Sequence, residues 1–551
     1  MAKATWAKKQ QEVSEYVANG TWKTCISRVW DQNAIEVPSK DAIEDTTARL
    51  TWASANLWID RVALSLVDAE IGRDEVVALQ LPNSIELHLM RIACEKAGVL
   101  CLPILSNMRE SEVKYSLGYT DAAAIVIPTV YRNFDYAAMI EKIRPGLPKL
   151  RHVFAIGSDV PRGYLSITEL AKQPIEKRFP PDFLERRRYQ PQDVSFIGLT
   201  SGTTGFPKFV EFPAAASGIA DDFINIMSLT SSDVVAAISP ASRGPNTGLY
   251  LAAPKAKAKI VMLPWTGPKE ALERIEQKRV TLACLVPAQL AMMLEETEKQ
   301  RYDLSSVRIW LSAGSLLPPS LAEAVETRIG GVVLSQYGAV DFGMASIPLP
   351  EDSFEVRMFT VGKPRFGTSI KIVNDSGQEL SKGESGEIMG RSLYSALGYF
   401  KDSKATEAAW SQDGWYATGD LGRIDEDGNL AIVGRKKDMI IRGGQNIYPA
   451  EIENLLANHP KVKSIAVVAM PDPIMGEKAC AYIVPAGENV LTMDEMVSFL
   501  KEKGIAPFKI PERIEVIDKF PMVSDGQKID KKVLAQDISQ KLKAESNRTT
   551  S

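Results

Sequence analysis

From Thr51 the chain alternates between two hydrophobic periods. In WASANLWIDRVALSLVD the apolar residues recur every three to four positions, as on one face of a helix, and the following EVVALQL is the short apolar run of a buried strand. The same pair returns as PNSIELHLMRIA with GVLCLPI and as SEVKYSLGYTDAAAIVI. It recurs in PKEALERIEQKRV with TLACLVP and in VRIWLSAG with PPSLAEAVETRI. This order predicts β-α-β units around parallel sheets. Past Gly362 the texture shifts to short strands and tight-turn residues in TSIKIVNDSGQEL, ESGEIMGRS and RIDEDGNLAIVGR, which predicts a small antiparallel sheet. After Arg435 come the helix PAEIENLLANH, the strands SIAVVAM and KACAYIVP, and the helix TMDEMVSFLKEKG, whose Thr492 and Glu495 form a capping box. Two domains are expected, 1–435 and 436–551, joined by a short connection, with the polar tail LKAESNRTTS frayed.

Composition narrows the class. The chain has 551 residues, 45% of them hydrophobic, ample for a large core. Its 65 Lys and Arg against 69 Asp and Glu leave a net charge of −4, so neither nucleic acid nor an anionic membrane is favoured as a partner. No apolar run reaches the roughly 18 residues of a membrane span, and the opening MAKATWAKKQQEV lacks the apolar centre of a signal peptide. A cytoplasmic protein without membrane insertion is expected. The five cysteines, Cys25, Cys94, Cys101, Cys284 and Cys480, never stand in a C-x-x-C spacing, which predicts reduced thiols and no zinc site. His88, His152 and His459 lie near neither a G-x-S-x-G turn nor an H-E-x-x-H helix, so triad hydrolysis and zincin chemistry have no carriers.

Residues 198–211, GLTSGTTGFPKFVE, leave the apolar stretch VSFIGL, a predicted strand end of the kind where α/β sheets tend to bind ligands. Gly202 and Gly205 let backbone N–H groups aim at one centre. Thr200, Ser201, Thr203 and Thr204 add hydroxyl donors and Lys208 adds a charge, a set that suits polyphosphate oxygens. The pattern is not Walker A, because Phe206 and Pro207 separate the lysine from the second glycine. A flexible surface loop is the competing reading of these residues taken alone.

LTSGTTGFPKFV resembles the signature loop of the adenylate-forming superfamily of acyl- and aryl-CoA synthetases, peptide-synthetase adenylation domains and luciferases. QYGAVDFG at 336–343, GWYATGDLGRIDEDGNLAIVGRKKDMIIRGGQNIYPAEIE at 414–453 and IDKKVL at 529–534 resemble the later motifs of that family, in order, so the resemblance spans essentially the whole chain. It implies an α/β fold: a large N-terminal domain of mixed and parallel sheets covered by helices, with a small β-barrel-like subdomain, and a smaller mobile α+β C-terminal domain. It also implies a ligase that uses ATP to convert a carboxylic acid to an acyl-adenylate, releases pyrophosphate, and then lets a thiol displace AMP. No side-chain nucleophile is required.

Carried onto matching positions, the resemblance makes Asp420 the carboxylate that takes both ribose hydroxyls, a job for a bidentate acceptor. Arg435 also reaches the ribose and, in some states, the phosphates. Tyr337 lies on the adenine face, with Gly338, Gly314 and Ser315 among the nucleotide contacts, although SAGSL departs from the usual Gly-Gly-Ala. Asp341 stands where the family generally has a Mg²⁺-binding glutamate, one methylene shorter but suited to a hard cation, and Val340 replaces the usual threonine. Gln527 is inserted between Gly526 and Lys528, the residue that would bridge acyl carboxylate and α-phosphate and offset developing charge. Catalytic roles thus fall on Lys528, Arg435 and Asp341. Lys437 is the implied hinge of a rotation between half-reactions that brings IRGGQN, with Gly443 and Gly444, to the thiol tunnel.

The acyl site would be lined from ISPASRGPNTGLYL, at 238–251, by Ala241, Arg243 and Gly244; the His-Asn pair common in aryl-acid members falls on Arg243 and Gly244. Loss of the Asn argues against a 2-hydroxybenzoate. Arg243 is open to three readings: partner of a second substrate carboxylate, gate of the thiol tunnel, or structural ion pair. EVSEYVANGTW and the overall spacing look closest to the aryl-acid branch, so an aromatic or alicyclic acid is expected, with a medium-chain fatty acid as rival. Free coenzyme A is the favoured thiol over a separate carrier protein. The implied ligands are therefore a small carboxylate, ATP with AMP as product, coenzyme A and Mg²⁺, in a monomer or homodimer. Two other classes stay in view: a luciferase-type oxidative enzyme, and an ATP-binding pseudo-enzyme suggested by Val340, Asp341 and Gln527.

Overall fold

The computed structural model describes residues 11–12, 14–20, 24–157, 159–200, 207–214, 219–240, 245–315, 317–393, 395–443, 445–523 and 528–549. Two large sheets dominate. In one, the strands run Val332–Ser335, Ile309–Ser312, Leu282–Leu285, Val234–Ala237, Lys259–Met262, Asp41–Glu44 and Arg49–Thr51, parallel except for the last. In the other, the run from Val194–Leu199 through Leu100–Pro103, Val76–Leu79, Ala124–Pro128 and His152–Ile156 to Leu165–Ser166 is parallel, and Phe209–Pro213 and Gly398–Tyr399 extend it antiparallel. The predicted β-α-β units are these strands and their crossover helices.

Between the sheets lie the helices Trp52–Asp68, Ile85–Ala97, Ile219–Met227 and Pro245–Lys255. One apolar core joins them to both inner faces, with Ile59, Ile92, Phe223 and Leu251 packed among Val77, Ile260 and Leu282. Each buried side chain of this kind contributes about 1.5–3 kcal/mol. Ile85–Ala97 is buried along its length except at Glu86 and Arg91, because a helix in a middle layer has no solvent side. Glu110–Thr120 and Tyr136–Ile143 cover the outer face of one sheet, and Pro268–Lys278, Pro287–Thr297 and Pro319–Arg328 that of the other.

The turn-rich stretch past Gly362 forms the expected antiparallel sheet, Thr368–Val373, Gly386–Ser392, Tyr416–Ile424 and Leu430–Arg435. A single turn at Lys436–Asp438 then leads to Ile440–Arg442, which belongs to the last sheet with Gln445–Ile447, Gly476–Pro485, Val462–Asp472 and Arg513–Val516. Thr492 caps Met493–Glu502 as its sequence predicts: the Glu495 N–H donates to Thr492 Oγ1, and the Thr492 N–H donates to Glu495 Oε2 at 2.9 Å. The tail differs from expectation, because Lys531–Thr549 is one helix. Leu534 and Ile538 bury against Tyr482, and Arg513–Glu545 (2.7 Å) and Lys541–Glu515 (2.6 Å) hold the polar side down. Among the described residues no helix is long and apolar enough to cross a membrane.

Candidate active site

The glycine- and threonine-rich loop closes an antiparallel hairpin between Val194–Leu199 and Phe209–Pro213. Its two ends meet: the Thr200 N–H donates to the Lys208 carbonyl at 2.9 Å and the Lys208 N–H to Thr200 Oγ1 at 3.3 Å. A strand follows Lys208, in contrast to the strand-to-helix geometry of a Walker A loop. Ser201, Gly202, Thr203, Thr204 and Gly205 lie outside the described residues, as do Ala241, Arg243, Gly244, Gly444 and the inserted Gln527. The Lys208 ammonium sits 4.5 Å from the centre of the Tyr399 ring.

Two neighbouring parallel strands deliver the nucleotide candidates. Gly314 and Ser315 follow Ile309–Ser312, and Tyr337 and Gly338 follow Val332–Ser335, so all four emerge at carboxyl strand ends, where α/β sheets bind ligands. Tyr337–Ala339 turns back on Gly343–Ile347 as a hairpin with Asp341 at its tip. Gly338 is dictated by this turn, because a Cβ there would stand 2.4 Å from the Gly343 carbonyl oxygen and 2.9 Å from Met344 Cα. Gly338→Ala is expected to destabilise the protein by about 1–3 kcal/mol or more through overpacking. A thermal melt should show the fall in Tm, and an unchanged melt would mean that the hairpin yields easily.

Asp420 is the centre of the expected ribose site. Strand register opposes Asp420 to Arg435, and Arg435 Nε lies 2.9 Å from Asp420 Oδ1. The Tyr337 hydroxyl donates to Asp420 Oδ2 at 2.9 Å. Burial and the Asp420 charge push the Tyr337 phenol well above its ordinary range, so it remains a donor. Asp420 is 7% exposed while the Arg435 side chain is 46% exposed, so the carboxylate is fixed and its cation can turn away. The reading of Tyr337 as an adenine-face ring thus gains a polar handle that its sequence position did not announce.

Asp341 is also buried. Burial pushes its carboxyl above the usual range, against the opposing influence of the Tyr399 and Tyr416 hydroxyls and the Lys208 charge. Its Oδ1 has no hydrogen-bond partner. A buried carboxylate oxygen with no donor is costly, and a hard cation is the chemistry that relieves it. Among the described residues no three His, Cys, Asp or Glu side chains cluster for a metal. Phe342 beside it is fully buried and stacks on Tyr416 at 6.3 Å. Ser312 Oγ and Gln336 Oε1, at the same strand ends, are buried and unpartnered. Sequence reasoning passed over Tyr399, Tyr416, Ser312 and Gln336; Tyr416 stands inside GWYATGD, Gln336 opens QYGAVDFG and Ser312 opens SAGSL, while Tyr399 stands in none of these motifs.

At the connection between the sheets, Lys436 pairs with Glu387 at 2.8 Å and Asp375 at 3.2 Å. Lys437 is exposed; partial loss of solvent lowers it below the usual lysine range, helped by the nearby charges of Arg435 and Lys532. Lys528 stands on a backbone hairpin, with the Val523 N–H donating to its carbonyl at 2.9 Å and Met522 bridged to Ile529. Gly443, at φ +55°, donates its N–H to the Met475 carbonyl at 2.8 Å, and a Cβ would lie 2.6 Å from Met475 Cε. A close hairpin contact therefore accounts for that glycine. All five cysteines are buried and unpaired, and burial pushes Cys284 and Cys480 up to about 12, as unreactive thiols require.

The model of the AMP-binding enzyme family matches residues 30–400, and that of the AMP-binding enzyme C-terminal domain matches residues 451–527. Over 540 residues the chain is 30% identical to the 2,3-dihydroxybenzoate-AMP ligase of Bacillus subtilis (strain 168), with 96% of each chain covered. It is 31% identical over 550 residues to the medium-chain fatty-acid–CoA ligase of Escherichia coli (strain K12), covering 98% of this chain and 95% of that one. Among solved structures, the anthranilate CoA ligase AuaEII in complex with anthranoyl-AMP superposes with a TM-score of 0.84 at 25% identity, over 95% of this chain and 98% of that chain.

Proposed function

The chain belongs to the AMP-binding enzyme family, and from that premise we propose that it is an acid–thiol ligase that converts an aromatic or alicyclic carboxylic acid to its acyl-adenylate and then to the coenzyme A thioester. The observation that carries the reading is the buried Asp420 carboxylate, held from one side by the Tyr337 hydroxyl and from the other by Arg435. Two fixed oxygens in that setting suit a vicinal diol such as the ribose of ATP. The aryl-acid relatives support the aromatic choice, and the medium-chain fatty-acid relative keeps an aliphatic acid as the second reading.

In this mechanism the loop at 200–208 takes the outgoing phosphates, Lys208 steadies them, and Asp420 with Arg435 fixes the ribose. Gly314, Ser315 and Tyr337 bound the adenine. Asp341 would hold Mg²⁺, which supplies positive charge against the phosphate oxygens. Lys528 draws acyl carboxylate and α-phosphate together and offsets the charge that develops there. The unit 436–551 then rotates about Lys437, removing Lys528 and presenting Gly443 and Gly444 to the pantetheine arm. The short turn Lys436–Asp438, which links the strand Leu430–Arg435 of one sheet to Ile440–Arg442 of the next, supports a hinge at that place.

The test is a pyrophosphate-release screen over aromatic, alicyclic and aliphatic acids, with and without coenzyme A. Acid-dependent pyrophosphate, with thioester only when coenzyme A is present, is the expected result. ATP binding without acid-dependent pyrophosphate would instead identify a pseudo-enzyme, and oxygen uptake without a thiol would identify a luciferase-type reaction.

A further inference from the structure

The helix Pro449–Leu456 stands between the two elements that the proposed mechanism uses in turn. It starts two residues after Gln445–Ile447, the second strand of the glycine hairpin, and its Ile452 shares a core with Ile440 and Ile447. The next residue is Glu453. Its Oε1 accepts the Val467 N–H at 2.6 Å and meets the Lys531 ammonium at 2.6 Å, the two side chains of the ion pair being 17% and 26% exposed.

Lys531 opens the helix Lys531–Thr549 and lies three residues after Lys528. The residues between them are fixed by their own neighbours. Ile529 packs on the cluster around Tyr482 and bridges Met522. The Asp530 N–H donates to the Pro521 carbonyl at 2.8 Å, and Asp530 Oδ1 accepts the Lys532 N–H at 3.1 Å at the start of the helix. The pair with Glu453 adds a different kind of tie, because it joins this segment to the helix that carries the glycine hairpin. A partly buried carboxylate that also takes a backbone N–H is held in one geometry, unlike a surface pair between two free side chains.

We propose that Glu453 and Lys531 are positioning residues for adenylation: their ion pair sets where the Lys528 ammonium stands and makes the lysine segment and the glycine hairpin turn as one body. The inference rests on the reading of Lys528 above. A misplacement of about 1 Å at a group that brings two reactants together costs up to about 100-fold in rate. Loss of the tie therefore falls on adenylation, whereas the hairpin used in thiolation keeps its own core.

The test measures both half-reactions in wild type, Lys531→Met, Lys531→Arg and Glu453→Gln, and repeats Lys531→Met in a Lys528→Ala background. Glu453→Gln keeps an acceptor for the Val467 N–H while removing the charge that Lys531 needs. Lys531→Met and Glu453→Gln should each lower kcat of acid-dependent pyrophosphate release by about 10-fold or more, with KM for ATP changed by less than about 2-fold. Thioester formation from preformed acyl-adenylate should stay within about 2-fold of wild type, and Lys531→Arg should restore most of the adenylation rate. In the Lys528→Ala background Lys531→Met should cause no further loss, because residues that act as a unit are not additive. Equal loss of both half-reactions, or a full further loss in that background, would overturn the inference by showing that the tie serves the fold alone. Wild-type adenylation by Lys531→Met would also overturn it, leaving the role of Lys528 in place. Undiminished pyrophosphate release by Lys528→Ala would overturn that role, and this inference with it.

Discussion

Lys528→Ala is expected to lower acid-dependent pyrophosphate release by roughly 10²–10³-fold or more, while preformed acyl-adenylate and coenzyme A still give thioester and AMP. Adenylation brings two anions, the carboxylate and the α-phosphate, into contact, and an ammonium between them acts mainly when that charge is concentrated. Thiolation has no such need. The backbone that carries the lysine is fixed by the Val523–Lys528 hydrogen bond and the Met522–Ile529 bridge. The helix behind it, Lys531–Thr549, is fastened to the last sheet by Leu534 and Ile538. Its position therefore follows any rotation of that unit at the Lys436–Asp438 turn. Separate assays of the two half-reactions check the prediction, and equal loss in both would sink the one-step role.

Asp341→Asn is expected to separate stability from function. Burial raises the Asp341 carboxyl above its ordinary value despite Lys208 and two tyrosine hydroxyls, so the ligand-free fold binds that proton more tightly than the unfolded chain does. Stability from this group is therefore greatest at low pH and declines as pH rises from the unfolded value through the raised folded one; at neutral pH the charge is a net cost. Asn removes the charge at nearly constant shape, so Tm of the ligand-free variant should rise at neutral pH and the gap to wild type should close in acid. Turnover should fall by roughly 10²–10³-fold, and its dependence on Mg²⁺ concentration should flatten. Melts across pH with parallel Mg²⁺ titrations decide the matter: a lower Tm at pH 7, or an unchanged Mg²⁺ response, would remove Asp341 from the proposed role.

Local chemistry was legible in the sequence. The capping box at Thr492 and Glu495, the alternation of helix and strand, and the antiparallel texture past Gly362 all depend on residues a few positions apart, and each is present. The exception is the tail LKAESNRTTS, whose polar residues suggest fraying but whose Leu542 packs on the cluster around Tyr482 and whose Glu545 pairs with Arg513 on a strand that precedes it. Site residues divide in the same way. Asp420 and Arg435 stand in recognisable motifs, but their opposition is a matter of strand register. The Tyr337 hydroxyl reaches Asp420 across 83 residues of chain, and Tyr399 bears on Asp341 only because Gly398–Tyr399 joins the edge of a large sheet.

By itself the sequence determined the class of chemistry: a loop rich in small residues and hydroxyls, a carboxylate in TGD, lysines in the later motifs, and no histidine or thiol placed for nucleophilic work. It could do so because those properties belong to residue types and short spacings. Which oxygen of Asp341 lacks a donor and which cation faces Asp420 were decided only in the tertiary structure. Burial and pairing arise when segments distant in the chain meet, and the free energy of a charge is set by those neighbours and not by the residue that carries it.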